Sequence, residues 1–524
     1  MATPRTALLS ARRVGFALLY LATLALFARE LGQFSDRQTG LSSLVLFGDH
    51  FTPRRLPQLA DVPLYTYEGS DGYDGQFYAQ IAAAATPFDP ALARALDAPA
   101  YREGRILLPL VVHALGRGRP ARIIQLFALA NLVCLGLLAA LLARWWFPPG
   151  ELDDLLRWVG SVFGAGMVVS ATRSLTDGPA LLVIAIAVRQ LEKGRDGPAA
   201  LLLALAGLVR ETSVLAIAAL WPSAPTGEAR RKAIRLALVA AGPIFLWTAV
   251  LAARYGHTDG LRNLAPPFLA LPRKARELVA SWHTEGFSVG VRSELLVLTG
   301  LAVQVWFIAT RRRPGEPWWR VGASFSLFVP LLGWPVWEGF PSSAARVLLP
   351  LTLAFNRLVP RGRGGLALLV AGNLGVATLP ALVDSVTASE QTTFAGGVTA
   401  RYETGWFPPE HEGRETWRWA SGPAVLALYN PGVEPRAVTL DLKLRAVTAR
   451  TITVGAGTPG VDLRRVLNVP ASLLPVHLGP FLLPPGRTEI TFSTERGQPN
   501  QSGVDQRPLA FSLHRFFVNV APGR

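Results

Sequence analysis

Two aspartates, Asp71 and Asp74, stand three residues apart in "YEGSDGYDGQFYAQIA", residues 67 to 82, and each is followed by glycine. Glu68 precedes them and Tyr78 follows. A carboxylate within hydrogen-bond reach of an alcohol can take its proton as a general base. Further on come Arg102 and Arg105 in "YREGRILLPL", Thr176 and Asp177 in "RSLTDGPA", Arg210 and Glu211 in "LVRETS", and Arg346 in "SSAARVLLPL". Arginine is suited to holding a phosphate and stabilising its developing charge. Carboxylates set among arginines therefore suit group transfer from a phosphate-linked donor to a hydroxyl acceptor. Each feature also has a plainer explanation. Asp-Gly pairs favour turns. Thr176 or Asp177 would cap a helix that has Pro179 in its first turn. Arginines at helix ends snorkel, and an Arg–Glu pair inside an apolar run can simply lock helices together. His113 reads as a surface or packing histidine. Trp406, Trp417 and Trp419 read as core or interfacial aromatics before a sugar-stacking platform.

Membrane spans must position these residues. Half of the 524 residues are hydrophobic, and long apolar runs recur, as in a polytopic membrane protein. The net charge of +16 is almost all arginine, clustered between apolar runs. That is the pattern of positive-inside loops and excludes a nucleic-acid partner. Cys134 is the single cysteine, so the chain has no internal disulfide and no zinc-thiolate site. Apolar runs fall near 13–29, 121–145, 156–172, 176–190, 198–221, 233–253, 293–310, 320–335, 343–359 and 364–384, which predicts about ten to twelve transmembrane helices. Arg12/Arg13 precede the first run and no small-residue cleavage site follows it, so it reads as a retained helix.

With the arginine clusters inside, the N-terminus is cytoplasmic. Section 30–104 lies outside, and so do 172–178, 254–292, 336–342 and everything after about 385. The run 105–116 is too short to span and reads as a helix at the outer surface, extending the first outer loop to 120. The run 198–221 reads either as two half-helices meeting at Arg210–Glu211, which keeps both ends inside, or as one span with an inward-facing pair. The section 30–104 holds ten acidic residues, and topology gives no reason for them. In the second outer loop, 254–292, "LPRKARELVASW" reads as an amphipathic surface helix. Leu278 and Trp282 share one of its faces, with Arg273, Lys274 and Arg276 nearby.

After about residue 400 the pattern becomes period-two. Val438, Leu440, Leu442 and Leu444 alternate with Thr439, Asp441, Lys443 and Arg445, and turn signals such as "NPG" and "PPGR" separate similar runs. This predicts an extracytoplasmic β-sandwich over 400–524, following a membrane domain over 1–390.

"DGQFYAQIA", from Asp74, resembles the first-loop motif of GT-C superfamily glycosyltransferases. Asp74, Tyr78, Ile81 and Ala82 fall on positions shared with lipid A aminoarabinose transferases and GPI mannosyltransferase II-type enzymes. "LDAPAYREGRILLPL", 96–110, is similar to bacterial membrane proteins of cell-surface glycopolymer formation. The resemblance implies a GT-C-like membrane domain in a bacterial inner membrane and an outward-facing active site. It further implies a polyprenyl phosphate- or diphosphate-linked sugar donor and a glycan, lipid or protein acceptor. Asp74 would be the base, with Asp71 as the neighbour that shares or replaces its role. Glu68, Tyr78, Arg102, Arg105, Thr176, Asp177, Arg210, Glu211 and Arg346 are the expected substrate-binding residues. No cofactor is implied, although aspartates beside a diphosphate could hold magnesium or manganese. The alternatives are a flippase or transporter, and a non-catalytic assembly protein for lipid-linked glycopolymer.

Overall fold

The computed structural model describes residues 4–35, 39–67, 70–84, 86–223, 226–256, 262–339, 343–383, 391–394, 398–412, 415–497 and 507–521. A helical region comes first and a sheet domain follows. Among the described residues, four helical segments are long and apolar enough to cross a bilayer: Ala11–Phe34, Pro120–Trp145, Gly227–Tyr255 and Val289–Thr310. Two bent pairs raise the number to six if each is one span. Leu152–Val162 meets Ala165–Thr172 at 46°, and Arg363–Gly372 meets Leu374–Leu382 at 42°. The outer faces of these segments are apolar: Leu18, Leu21 and Leu26 on the first, and Leu238, Phe245 and Leu246 on the third, are more than half exposed. Apolar surface of this extent belongs against lipid, and the chain is a membrane protein.

The four to six spans are fewer than the ten to twelve expected from hydropathy. Asp177–Glu192 has 16 residues, or about 24 Å of helix. Pro317–Phe328 has 12 residues and Leu349–Leu358 has 10. Hydropathy sums apolar residues without registering where the backbone turns, and here it turns inside several apolar runs. The run 198–221 shows this. Asp196–Val209 is α-helical, Arg210 is extended, and Glu211–Leu220 is a ten-residue 3-10 run. Asp196 and Leu220 line the same cavity, so both ends of this hairpin lie at one face and Arg210–Glu211 forms its tip. Of the two readings of this stretch, the half-helix pair is the one observed.

In the second long loop, Ala270–Glu285 is a helix that leaves Val279 and Trp282 exposed, beside exposed Phe268, Leu269 and Phe287. Lys274 is buried instead and pairs with Glu277 at 2.8 Å and with Glu294. Arg273 stacks over Trp334 at 3.8 Å. An exposed apolar edge rimmed by cations is the pattern of an interfacial helix.

The strands are β1 Phe47–Gly48, β2 Leu64–Tyr67, β3 Gln391–Thr393, β4 Thr399–Tyr402, β5 Trp406–Glu412, β6 Glu415–Ala420, β7 Ala424–Asn430, β8 Arg436–Ala446, β9 Arg450–Ala456, β10 Arg464–Val469, β11 Leu474–Leu483, β12 Gly486–Ser493 and β13 Phe511–Val520. One sheet runs β1-β2-β3-β4-β7-β12-β9-β10 and the other β11-β8-β13-β6-β5. All pairings are antiparallel except β1 with β2. Both sheets contribute to one core. Val438, Leu440, Leu442 and Leu444 of β8 pack there with Ile452 and Val454 of β9 and Ile490 and Phe492 of β12, as their alternation predicts. Trp406 is partly buried against this core and donates to the Val425 carbonyl at 2.8 Å, while Trp417 stacks on His514. β2 extends the first sheet from the other end of the chain: Leu64 pairs with Thr393 and Thr66 with Gln391. The first long loop is therefore tied to the sheet domain by backbone hydrogen bonding.

Candidate active site

The helix Asp74–Ala83 begins at Asp74, and Tyr73 precedes it in an extended conformation. Two glycines fix this start. Gly72 has φ +67°, and Tyr73 N–H donates to the Leu46 carbonyl at 2.9 Å. Gly75 lies against the chain elsewhere: a Cβ there would sit 2.3 Å from the Arg173 carbonyl oxygen and 2.8 Å from that of Val45. The glycine after Asp74 thus lets the helix start press against the turn that carries Arg173.

The two aspartates separate here. Asp71 is 81% exposed and bonds to His50 Nδ1 at 2.9 Å. Its backbone carbonyl accepts from Gln76 Nε2 at 2.6 Å, and Gln76 Oε1 accepts from Gly48 N–H. That is a turn-building role. Asp74 is 26% exposed and forms an ion pair with Arg102 Nη1 at 2.9 Å. Arg102 also clasps Asp97 with two bonds of 2.8 Å. Arg105 is fully buried and holds Glu211 in a bidentate pair, 2.8 Å from Nε and 2.7 Å from Nη2. It donates to the Tyr78 and Tyr101 hydroxyls as well. Residues 106 positions apart are thereby joined, which brings the first long loop to the tip of the 196–220 hairpin.

Asp177 is the other anchor. It is buried between Arg210 at 2.5 Å and Arg346 Nη1 at 3.4 Å. Arg346 continues to the Tyr73 hydroxyl at 3.1 Å and Ser343 Oγ at 2.6 Å. Arg173 stacks over Tyr73 at 4.5 Å. Five guanidiniums (Arg102, Arg105, Arg173, Arg210 and Arg346) and four carboxylates (Asp74, Asp97, Asp177 and Glu211) form one continuous cluster. Three of the carboxylates, Asp74, Asp97 and Glu211, remain roughly a quarter to a third exposed.

The helix-cap explanation of "RSLTDGPA" does not hold. Neither Thr176 nor Asp177 caps the helix with its side chain; Ser170 Oγ accepts from Gly178 N–H at 2.9 Å instead. Thr176 and Ser174 are fully buried, and their hydroxyls have no partner among the described residues. Ser174 holds a left-handed φ of +47°, so the turn between the two helices is strained. Arg102 and Arg105 are buried and paired, which is not the behaviour of snorkelling side chains. His113 Nδ1 bonds to the Ala82 carbonyl at 2.8 Å, a packing role. Glu68 lies outside the described residues.

Electrostatics sets the state of Asp74. Burial pushes its carboxyl pKa up, but Arg102 first, with Arg346 and Arg105, outweighs that and holds it below the usual carboxylate range. Asp74 is accordingly an ionised acceptor at neutral pH. Burial also pushes the Tyr78 phenol up, so it stays protonated. Among the described residues, no group of three or more His, Cys, Asp or Glu side chains is arranged to hold a metal ion.

Four members of the cluster carried no expectation: Tyr73, Asp97, Tyr101 and Arg173. Each lies within or beside a singled-out segment, so proximity in sequence was the signal. Their engagement depends on contacts across the fold.

Substitution of Gly75 by Ala is expected to force Asp74 away from Arg102, because the clash is with backbone rather than a movable side-chain tip. An ångström-scale misplacement of a reacting group costs on the order of 100-fold in rate. Gly104→Ala is the control, since nothing lies within 4 Å of that position. Turnover of both variants, measured beside their thermal midpoints, checks this.

Compared with protein-family models and with curated proteins, the chain matches none.

Proposed function

We propose that the chain is a GT-C-type membrane glycosyltransferase. It moves a sugar from a polyprenyl phosphate- or diphosphate-linked donor to a glycan, lipid or protein acceptor on the extracytoplasmic side of a bacterial inner membrane. The observation that carries this is the joining of Asp74 to a cluster of guanidiniums built from the outer loop and the ends of apolar helices. In the reaction, Asp74 accepts the proton of the acceptor hydroxyl, and that oxygen bonds to the sugar C1. The bond from C1 to the phosphate oxygen breaks, and the lipid phosphate leaves with the electron pair. Arg102, Arg105 and Arg346 face the charge that builds on the phosphate.

The low pKa of Asp74 fits this sequence of events. In the free protein, arginines suppress its basicity. A bound donor phosphate would engage the same arginines and add negative charge, which raises the aspartate's pKa. The base would therefore strengthen only when donor is present. The two sheets of the C-terminal domain, read as a sandwich, anchor the first loop through β2 and β3.

Transfer from a polyprenyl-phosphate sugar extract to a cell-envelope acceptor fraction, assayed with purified protein in lipid, tests this reading. Sugar transfer supports it, and translocation of labelled donor without transfer would replace it with the flippase. That second reading has its own support in the hairpin at Arg210–Glu211 and the two bent helix pairs, since discontinuous helices are common at transporter sites. Against it, the polar groups where the bent pairs meet satisfy one another. Asn356 and Asn373 bond reciprocally at 3.1 and 2.7 Å, and Gln304 donates to the Gly372 carbonyl at 2.7 Å. The space beside them is about 30 Å³, too small for a sugar.

A further inference from the structure

A second group of arginines lies at the opposite ends of the helices that build the site. The Asp177–Glu192 helix starts at the buried Asp177 and ends at Arg189 and Glu192, about 24 Å away. There a cavity of about 650 Å³ opens, lined among others by Arg189, Trp221, Lys232, Arg320 and Arg357. Its size is in the range of small-ligand sites.

Two of the four cations are neutralised locally. Arg189 pairs with Glu192 at 2.8 Å, and Lys232 pairs with Asp196 at 2.6 Å. The other two are not. Arg320 donates to the carbonyls of Pro314 at 2.6 Å and Ala219 at 2.9 Å, and it makes no ion pair among the described residues. The Arg357 side chain makes neither a hydrogen bond nor an ion pair among the described residues. The Nε atoms of Arg189, Arg320 and Arg357 are buried without an acceptor. Among the described residues, one further carboxylate, Glu316, lines the cavity. Four cations face three carboxylates here, with Glu316 beside Arg320, so one positive charge is left over, and an anion in the cavity would offset the cost of holding it partly out of water.

We propose that this cavity binds a phosphate group, and that the group is the headgroup of an anionic membrane lipid. The cavity's position favours a lipid over a free phosphate. It sits at the ends of apolar helices, with Trp221 48% exposed at its edge, where indoles settle at the membrane interface. Basic pockets between membrane helices are a recognised form of headgroup site. The site is separate from the Asp74 cluster and does not depend on the reading of that cluster as a glycosyltransferase.

The full chain, purified into nanodiscs, tests this. Discs of phosphatidylcholine alone are compared with discs that also contain phosphatidylglycerol, and inorganic pyrophosphate is titrated into both. Anionic lipid is expected to raise the thermal midpoint by a few degrees. Native mass spectrometry is expected to retain bound phosphatidylglycerol. Arg320→Gln combined with Arg357→Gln should abolish both effects, while Arg464→Gln in β10 should leave them. Lys232→Glu, at a position 64% exposed, should weaken retention about tenfold or more in protein checked to be folded. A response to pyrophosphate that also displaces lipid would keep the phosphate site and change its source to a soluble anion. If wild-type protein responds to neither, or the folded double variant and Lys232→Glu respond like wild type, the proposal is overturned.

Discussion

Asp74→Asn is expected to lower sugar transfer by about 10² to 10⁴-fold while the protein still folds and inserts, because a positioned general base contributes about that much. The loss corresponds to about 3–5 kcal/mol of transition-state stabilisation. Asparagine keeps the shape and can still accept from Arg102, so the thermal midpoint should move little. Asp71→Asn should retain most activity, since Asp71 is exposed and bonded to His50. Full activity in the Asp74 variant would sink the assignment of the base.

The pH profile follows from the same cluster. Asp74 is held below the usual carboxylate range, so the acid limb of kcat/KM should lie at lower pH than an ordinary aspartate would give. The sign follows from the lowered pKa: the active ionised form is lost as pH falls through the folded value. Arg102→Gln removes the strongest opposing charge, so the acid limb should move to higher pH. If donor phosphate engages the arginines, the acid limb of kcat, which reports the bound complex, should lie above that of kcat/KM. Coincident limbs would remove the donor-triggered strengthening of the base.

Asp177→Leu is expected to produce the largest loss of stability of any single change in the cluster. It strips two buried guanidiniums, Arg210 and Arg346, of their shared counter-ion. Removing one partner of a buried ion pair costs about 3–5 kcal/mol, because the remaining charge stays buried and uncompensated. The thermal midpoint in detergent should fall sharply, with reduced yield. Replacing all three residues by apolar ones (Asp177→Leu, Arg210→Met, Arg346→Met) should recover much of that loss, since apolar replacement of a whole buried ion cluster is often neutral or better. The triple variant should remain inactive in transfer, because Arg346 has been given the donor phosphate. Recovery of both stability and activity would show that this part of the cluster only holds the helices together.

Much of this architecture could be read from the chain. Apolar runs marked a membrane protein, and period-two alternation in "VTLDLKLRAV" placed Val438, Leu440, Leu442 and Leu444 on the buried face of a strand. Both patterns are local, because burial against lipid or across a sheet repeats at the period of the backbone. The number of spans was not legible in the same way. The helices around 176–190, 320–335 and 343–359 are short, and the 198–221 run folds back on itself. Hydropathy carries no record of where tertiary contacts let the chain turn.

The cluster shows the same division. Residue types marked Arg102, Arg105, Asp177, Arg210, Glu211 and Arg346, since ionised groups in or beside apolar segments are costly and must have partners, and the motif around it marked Asp74. The sequence by itself determined that these charges exist, that they lie near helix ends, and that the first loop is rich in acids. Only the tertiary structure decided who meets whom: Arg105 with Glu211, Asp177 between Arg210 and Arg346, and Asp97, Tyr73, Tyr101 and Arg173 drawn in as neighbours. The motif had already ranked Asp74 above Asp71, and the structure adds that Asp74 lies against Arg102 while Asp71 faces solvent. Partner choice among buried charges depends on geometry to within an ångström or so across more than a hundred residues of chain, and no local pattern carries that information.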